Sequence, residues 1–353
     1  MRNNFFLSPY LHRLERRFRR IRNKFVATDI ILLYHRVSNV SHDPQLMCVA
    51  PDRFDQHMAV VRERATPISL ENLSHSLRTN RVPPRRVVVT FDDGYADNLI
   101  NAKPVLEKYN VPTTVFIPAG NIGQKRGFSW DVLEKIFLYP GSLPEKLAIT
   151  AEGQSFAWNL GGMAVYCDDQ FLQYKDWHVE KQFNPTLRHT LYCLLCELLR
   201  SLDIAERDRL TNELIVWSGL GSSARSTAPI MSEDEIRKLI DGDLIRVGAH
   251  TVMHPLLAGI PEDSQRKEIQ SGRNILESIV GHPVTSFAYP YGGRSQYSRQ
   301  TVRFVQQAGF SCACSNYPGV VWNNSNPFEL PRHVVRNWNG DEFARRLEEW
   351  FRD

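Results

Sequence analysis

The strongest constraint on this chain is a series of short, mostly apolar runs that end abruptly in polar or glycine residues. Residues 30–34, 87–91, 113–117, 245–249 and 286–289 are too short for buried helices and lack the polar alternation of a half-exposed strand. They predict strands buried on both faces. Between them, residues 52–64, 98–109, 264–280 and 298–308 carry apolar side chains at helical spacing. Alternation of this kind implies parallel strands covered by helices, in a barrel or a doubly wound sheet. Either way the active site gathers at the carboxyl ends of the strands, so the residues directly after the apolar runs become the informative ones.

A composition of 42% hydrophobic and 23% charged residues excludes a disordered or collagen-like chain, and 353 residues exceed what one barrel needs. The surplus falls at 121–230, where Gly161-Gly162, the aromatics Trp158, Tyr166, Phe171, Tyr174 and Trp177, and a helical block at 185–217 break the rhythm. The expected organisation is a basic amphipathic helix at 1–27, a barrel from 28–120 and 231–353, and a largely helical insertion at a barrel loop over 121–230. The formal charge of +4 hides a concentration: residues 1–27 hold eight basic side chains against one acid, Glu15. Leu11, Leu14, Phe18, Ile21 and Phe25 recur there at steps of three and four. That pattern suits a surface anchor on an anionic leaflet, a docking helix for a membrane-bound partner, or a helix packed on the domain with a solvated face. No second basic region supports nucleic-acid binding. With no apolar run of membrane-spanning length and no secretory signal pattern, the chain reads as cytoplasmic, with peripheral contact at the inner face of the cell membrane through 1–27. Six cysteines in a chain this long are no disulfide framework. Cys193/Cys196 and Cys312/Cys314 lack matching second pairs and read as buried, inert thiols.

Two constellations carry chemistry. Val87-Val88-Val89-Thr90-Phe91 ends directly in Asp92-Asp93-Gly94. Adjacent carboxylates repel, raising one pKa unless a cation sits beside them, which points to a metal site or a tuned acid–base pair; the alternative is a solvated turn with a helix cap. Gly94 would let the chain turn sharply. After the run at 245–249 comes His250-Thr251-Val252-Met253-His254. On a helical turn, two imidazoles four apart share a face and can share a metal ion. Thr251 stands where a zinc-protease helix would place its glutamate base, so a base must come from elsewhere. The Asp pair can supply it, one carboxylate completing a two-His, one-Asp site with open positions and the other taking a proton from water.

With these residues in this order, the chain resembles the polysaccharide deacetylases, the NodB homology family. Thr90-Phe91-Asp92-Asp93-Gly94 matches that family's first motif and His250-Thr251-Val252-Met253-His254 its H-[ST]-x-x-H motif. The resemblance implies a distorted (β/α) barrel of about seven strands, Asp92 as general base, and Asp93, His250 and His254 as ligands of a divalent metal, zinc by default. Phe287-Ala288-Tyr289-Pro290-Tyr291-Gly292 is similar to the R-x-P-[FY] motif with Ala288 in place of its arginine, a Y-P-Y-G form shared by exopolysaccharide-type relatives. It implies that the backbone N–H of Tyr291 bonds the developing oxyanion. Leu330-Pro331-Arg332-His333 stands where the family has Leu-x-His. His333, one position late, is the candidate acid, and Arg332 the candidate substitute for the missing arginine. A strand points these two to opposite faces, so both cannot easily face the cleft. Tyr34-His35-Arg36-Val37 ends the first run, and His35 is either a site-lining group or a structural histidine. Tyr95, Trp130, Tyr291 and Trp338 are candidates to stack on sugar rings.

The expected function is therefore removal of an N-acetyl group from an amino sugar in a polysaccharide or lipid-linked glycan precursor. The alternatives are a deformylase or O-deacetylase on a lipid-linked sugar, and a catalytically inactive sugar-binding homologue.

Overall fold

The computed structural model describes residues 28–79, 85–221 and 228–352, so the amphipathic helix expected at 1–27 lies outside the described residues. Seven parallel strands form the central sheet: β1 (Asp29–Tyr34), β2 (Arg86–Phe91), β3 (Thr113–Ile117), β4 (Ile245–Ala249), β5 (Ser286–Ala288), β6 (Cys312–Cys314) and β7 (His333–Val334). Their spatial order is β6-β5-β4-β3-β2-β1-β7, and Thr66–Pro67 adds a short strand beside the start of β2. The last segment brings the two sheet edges together. Leu330 pairs in parallel with Cys314 at the end of β6, and three residues later His333 pairs with Leu32 of β1. The sheet is thereby curled into a distorted (β/α) barrel. The sequence pattern missed β6 and β7 because three and two residues are too few to show a period.

The strands are apolar on both faces because each face meets a different core. Ile30, Leu32, Tyr34, Val87, Val89 and Phe91 pack in the large layer beneath the helices. Ile31 and Val88 join Phe116, Ala288, Cys312, Cys314 and Leu330 in the barrel interior. Gly248 of β4 makes room there, since a Cβ at this position would stand 2.3 Å from the Phe116 ring. Helix α2 (Leu70–Thr79) closes the N-terminal end of the barrel with Leu70 and Leu73, while α1 (Pro51–Arg64), α3 (Lys103–Tyr109), α7 (Glu262–Val280), α8 (Arg299–Gln307) and α9 (Gly340–Trp350) belong to the barrel's helical cover. A π-helical turn, Asn98–Ala102, replaces the first part of the helix expected over 98–109.

The inserted region has a hydrophobic core of its own. Leu133 and Phe137 of α4 (Ser129–Phe137) pack with Leu191 and Leu195 of α5 (Leu187–Ser201) and Leu210 and Leu214 of α6 (Ile204–Ser218). The helical block expected over 185–217 is broken at Asp203, whose Oδ1 accepts from the Glu206 backbone N–H at 2.9 Å and caps α6. An antiparallel hairpin, Lys146–Ala151 with Gln154–Asn159, completes the unit. It turns at Glu152-Gly153, with φ of 49° and 77°, the left-handed pair that a two-residue hairpin loop demands. All six cysteines are free; Cys312 and Cys314 are buried, Cys193 and Cys196 only half-buried. No helix among the described residues is long and apolar enough to cross a membrane.

Candidate active site

The site is built where β2 ends. The Asp92 N–H still donates to the Tyr34 carbonyl, extending the ladder by one residue. The backbone then turns through two left-handed residues, Asp93 (φ 73°) and Gly94 (φ 68°). Such a conformation at a residue with a Cβ is uncommon and persists where the surroundings over-determine it. Both carboxylates are buried, 4% and 3% exposed, which excludes the solvated-turn reading.

Arg332 enters from the segment that joins the sheet edges and meets Asp92 in a bidentate pair, Nη1–Oδ1 2.7 Å and Nη2–Oδ2 2.6 Å. Its Nε donates to the Ser315 carbonyl at 2.7 Å, and the Phe116 ring lies 5.6 Å from the guanidinium carbon. Burial pushes the Asp92 carboxyl up, but the charge of Arg332, the neighbouring His250, the hydrogen bonds of Arg332 and His35 together outweigh it and hold the group below the ordinary carboxylate range. The arginine absent at Ala288 is thus replaced in space by Arg332, 240 residues along the chain from Asp92. His333, the acid expected from sequence, is not at the site. Neighbouring strand residues point oppositely, and its ring stacks on Trp350 at 4.4 Å beside α9.

The two imidazoles arrive on a loop rather than the expected helical turn. Thr251 (φ 67°) and His254 (φ 54°) are both left-handed, and the Thr251 hydroxyl accepts from the His254 N–H at 3.0 Å. Glu268 of α7 accepts from the N–H groups of Val252 and Met253 at 2.9 and 2.8 Å. Gly272 lets α7 approach this closely, since a Cβ there would stand 2.7 Å from the Thr251 carbonyl oxygen. The sequence held an unread signal here: Gln265, Glu268 and Gly272 interrupt the buried face of an otherwise amphipathic helix.

His250 donates from Nδ1 to the Ala288 carbonyl at 2.7 Å, which leaves its Nε2 lone pair facing the carboxylates. That Nε2 lies 3.7 Å from Asp93 Oδ1, and His254 Nε2 lies 3.4 Å from the same oxygen. One donor atom from each of Asp93, His250 and His254 falls within 4.8 Å of the others. Burial, then the charges of Asp92 and Asp131, push the Asp93 acid well above its ordinary range. Burial likewise holds both imidazoles below theirs. Three converging buried donors, with Arg332 committed to Asp92, fit a divalent cation that leaves open coordination positions.

Around the triad stands an aromatic wall. Phe128 and Trp130 stack at 4.4 Å and both meet the His254 ring at 5.5 Å, while Tyr291 meets it at 4.8 Å. Tyr291 itself is left-handed (φ 60°), in a turn kept tight by Gly292, where a Cβ would come within 2.6 Å of the Asn316 nitrogen. The Tyr291 N–H donates to no backbone carbonyl among the described residues. Tyr95 is completely buried and so cannot meet a sugar; its hydroxyl accepts from Trp130 Nε1 at 3.0 Å and faces Asp131, whose acid burial lifts to about 7. Trp338 lies away from this wall, covered by Arg346 at 4.1 Å. His35, at the end of β1, lies within electrostatic reach of Asp92 and His250, and burial lowers its pKa to about 4.

Comparison with known proteins places this geometry. The family model described as polysaccharide deacetylase matches residues 79–141 and 218–313, the gap falling on the insertion. A 108-residue stretch is 30% identical to YxkH of Bacillus subtilis (strain 168), a protein named for the same family, covering 30% of this chain and 37% of that one. A 68-residue stretch is 31% identical to the poly-beta-1,6-N-acetyl-D-glucosamine N-deacetylase of Staphylococcus aureus, covering 19% and 23%. The chain therefore spans only 37% and 23% of the length of these two curated relatives. Among solved structures, IcaB from Ammonifex degensii superposes with a TM-score of 0.56 at 18% identity, covering 93% of this chain and 98% of that one. The Streptococcus pyogenes deacetylase PplD, in complex with acetate, does so with 0.55 at 16%, covering 91% and 98%. Both share the fold.

Proposed function

The barrel of this chain is a polysaccharide deacetylase domain of the NodB type, and from that premise we propose a metal-dependent hydrolase that removes the N-acetyl group from an amino sugar in a polysaccharide or lipid-linked glycan precursor. The observation that carries this reading is the placement of an Asp–His–His donor set directly beside a carboxylate kept ionised by a buried arginine. The similarity to the poly-beta-1,6-N-acetyl-D-glucosamine N-deacetylase of Staphylococcus aureus supports an N-acetylated hexosamine as the substrate class.

A divalent cation held by Asp93, His250 and His254, zinc by the donor set, would polarise the acetamide carbonyl and lower the pKa of water. Asp92, ionised at neutral pH, takes the proton of the attacking water. The unengaged N–H of Tyr291 is the protein donor for the oxyanion that develops as the carbonyl carbon becomes tetrahedral. The same Arg332 that keeps Asp92 ionised makes its protonated form a willing acid, so Asp92 returns the proton to the leaving nitrogen as the C–N bond breaks. His333, stacked on Trp350, faces away from Asp92, and His35, whose pKa burial lowers to about 4, is neutral at pH 7. The products are acetate and a free amine.

The test is acetate release from N-acetylglucosamine oligomers and from a lipid-linked N-acetylhexosamine, using metal-loaded protein, chelated protein and Asp92→Asn. The expected outcome is release that needs the metal and falls by roughly 10²–10⁴-fold in Asp92→Asn. Metal binding without acetate from either substrate would overturn N-deacetylation and turn the assay to formyl and O-acetyl esters. Failure to bind metal would leave the inactive sugar-binding reading.

A further inference from the structure

We propose that Arg207, a residue of the insertion, is a positioning residue for His254, so that the insertion is a working part of the cation site. The inference rests on the reading of Asp93, His250 and His254 as metal ligands. Arg207 lies in the first turn of α6 and reaches out of the insertion to the loop after β4. Its Nη2 donates to the Met253 carbonyl at 2.6 Å and its Nη1 to the His254 carbonyl at 3.2 Å. Glu268 holds the N–H groups of Val252 and Met253 from the barrel side. One short loop is thus clamped by a carboxylate on its donors and a guanidinium on its acceptors, each from a different unit of the molecule.

The two histidines need this clamp unequally. His250 is oriented through its own ring, by the bond from Nδ1 to the Ala288 carbonyl. His254 has no such support: its buried Nδ1 has no hydrogen-bond partner among the described residues, although a ligating imidazole is normally oriented by a bond to its second nitrogen. Its ring is packed among the rings of Phe128, Trp130, Tyr291 and His250, with Nε2 facing Asp93, and its backbone sits in a left-handed conformation that must be imposed from outside. The main-chain clamp supplies that imposition, and Arg207 is the half that comes from beyond the barrel. The guanidinium is committed to this task, for it joins none of the ion pairs among the described residues. Arg209, two positions on, differs: it bonds Glu206, Glu213 and the Thr150 carbonyl, all within the insertion.

That contrast supplies the control. Zn²⁺ affinity is measured by competition with a chromophoric chelator, and coordination geometry by the visible spectrum of the Co²⁺-loaded protein, for wild type, Arg207→Met, Arg207→Lys and Arg209→Met. Thermal unfolding of each metal-free protein reports whether it folds. The expected result is a loss of affinity of about tenfold or more with an altered Co²⁺ spectrum in Arg207→Met. Partial recovery is expected in Arg207→Lys, which keeps the charge without the fork, and no change in Arg209→Met. Wild-type affinity and spectrum in Arg207→Met would overturn the proposal, as would an equal loss in Arg209→Met, which would assign the effect to the stability of the insertion. Should Arg207→Met fail to fold, Arg207→Lys decides alone: a wild-type spectrum and affinity there would overturn the role of the fork. A wild-type protein that binds no metal overturns the metal centre itself, and this inference with it.

Discussion

Among the described residues, the barrel and the insertion each bury one arginine completely, Arg332 and Arg188, and neutralise it in opposite ways. Arg332 faces a carboxylate, and the pair stabilises both charged forms. Arg188 faces carbonyls: its Nε donates to Met163 at 2.7 Å and its Nη2 to Ala164 and Gly141 at 2.6 and 2.9 Å. Without an anion nearby, burial drags its pKa down to about 10. Carbonyl dipoles can solvate a buried cation and tie three strands of chain together, but they create no reactive group. A carboxylate partner does, because the arginine that pairs with it also sets its proton affinity. The same side chain is therefore a structural pin in one unit and sets the proton affinity of a buried carboxylate in the other.

Replacing each arginine by methionine is the most direct way to break this comparison. Arg332→Met leaves Asp92 buried and unpaired, which costs about 3–5 kcal/mol of folding stability. The carboxyl then holds its proton at neutral pH, and acetate release falls by about 100-fold or more. Arg188→Met orphans three carbonyls at about 1–3 kcal/mol and leaves the turnover of each folded molecule unchanged. Denaturant unfolding and turnover per folded molecule separate the two; if Arg332→Met keeps full turnover, the two arginines do the same job.

A smaller effect compares the units by pH. His57 in the barrel donates from Nε2 to the Trp338 carbonyl at 2.8 Å, and burial holds its pKa down to about 4. His189 in the insertion is lowered to about 4 in the same way. An unfolded histidine titrates near 6.5, so between about 6.5 and about 4 the unfolded chain binds more protons than the folded one. Stability therefore falls as pH drops through that window. His57→Gln and His189→Gln should each flatten the dependence of melting temperature on pH, the first through the barrel and the second through the insertion. A curve of unchanged slope in either variant would show that its imidazole is charged when folded.

The smallest expected effect concerns the site's outer edge. His333→Ala removes a ring stacked on Trp350 and should cost about 1 kcal/mol with kcat unchanged. A collapse of kcat comparable to that of Asp92→Asn would return the acid role to His333 and reverse the facing of Arg332.

That last pair shows where reading from sequence stops. The ends of β2 and β4 were legible because their information is local: an apolar run stopping at Asp92-Asp93-Gly94 or His250 announces a strand end and the chemistry it carries. Which of Arg332 and His333 faces inward was not, because β7 has two residues and its register comes from pairing with Leu32 and Leu33, some 300 positions away. The conformation around His254 was misread for a related reason. Spacing of four fits a helix, but the loop's shape comes from Glu268 and Arg207, which no local pattern ties to it.

By itself, the sequence determined the class of fold and the two strand ends at which Asp92, Asp93, His250 and His254 gather. Those follow from periodicity and residue chemistry, both short-range along the chain. Only the tertiary structure decided that Arg332 sets the state of Asp92, that His333 packs on Trp350, and that the insertion grips the loop bearing His254. Each of these is a contact between segments far apart in sequence, where burial and geometry select one partner among many of suitable chemistry.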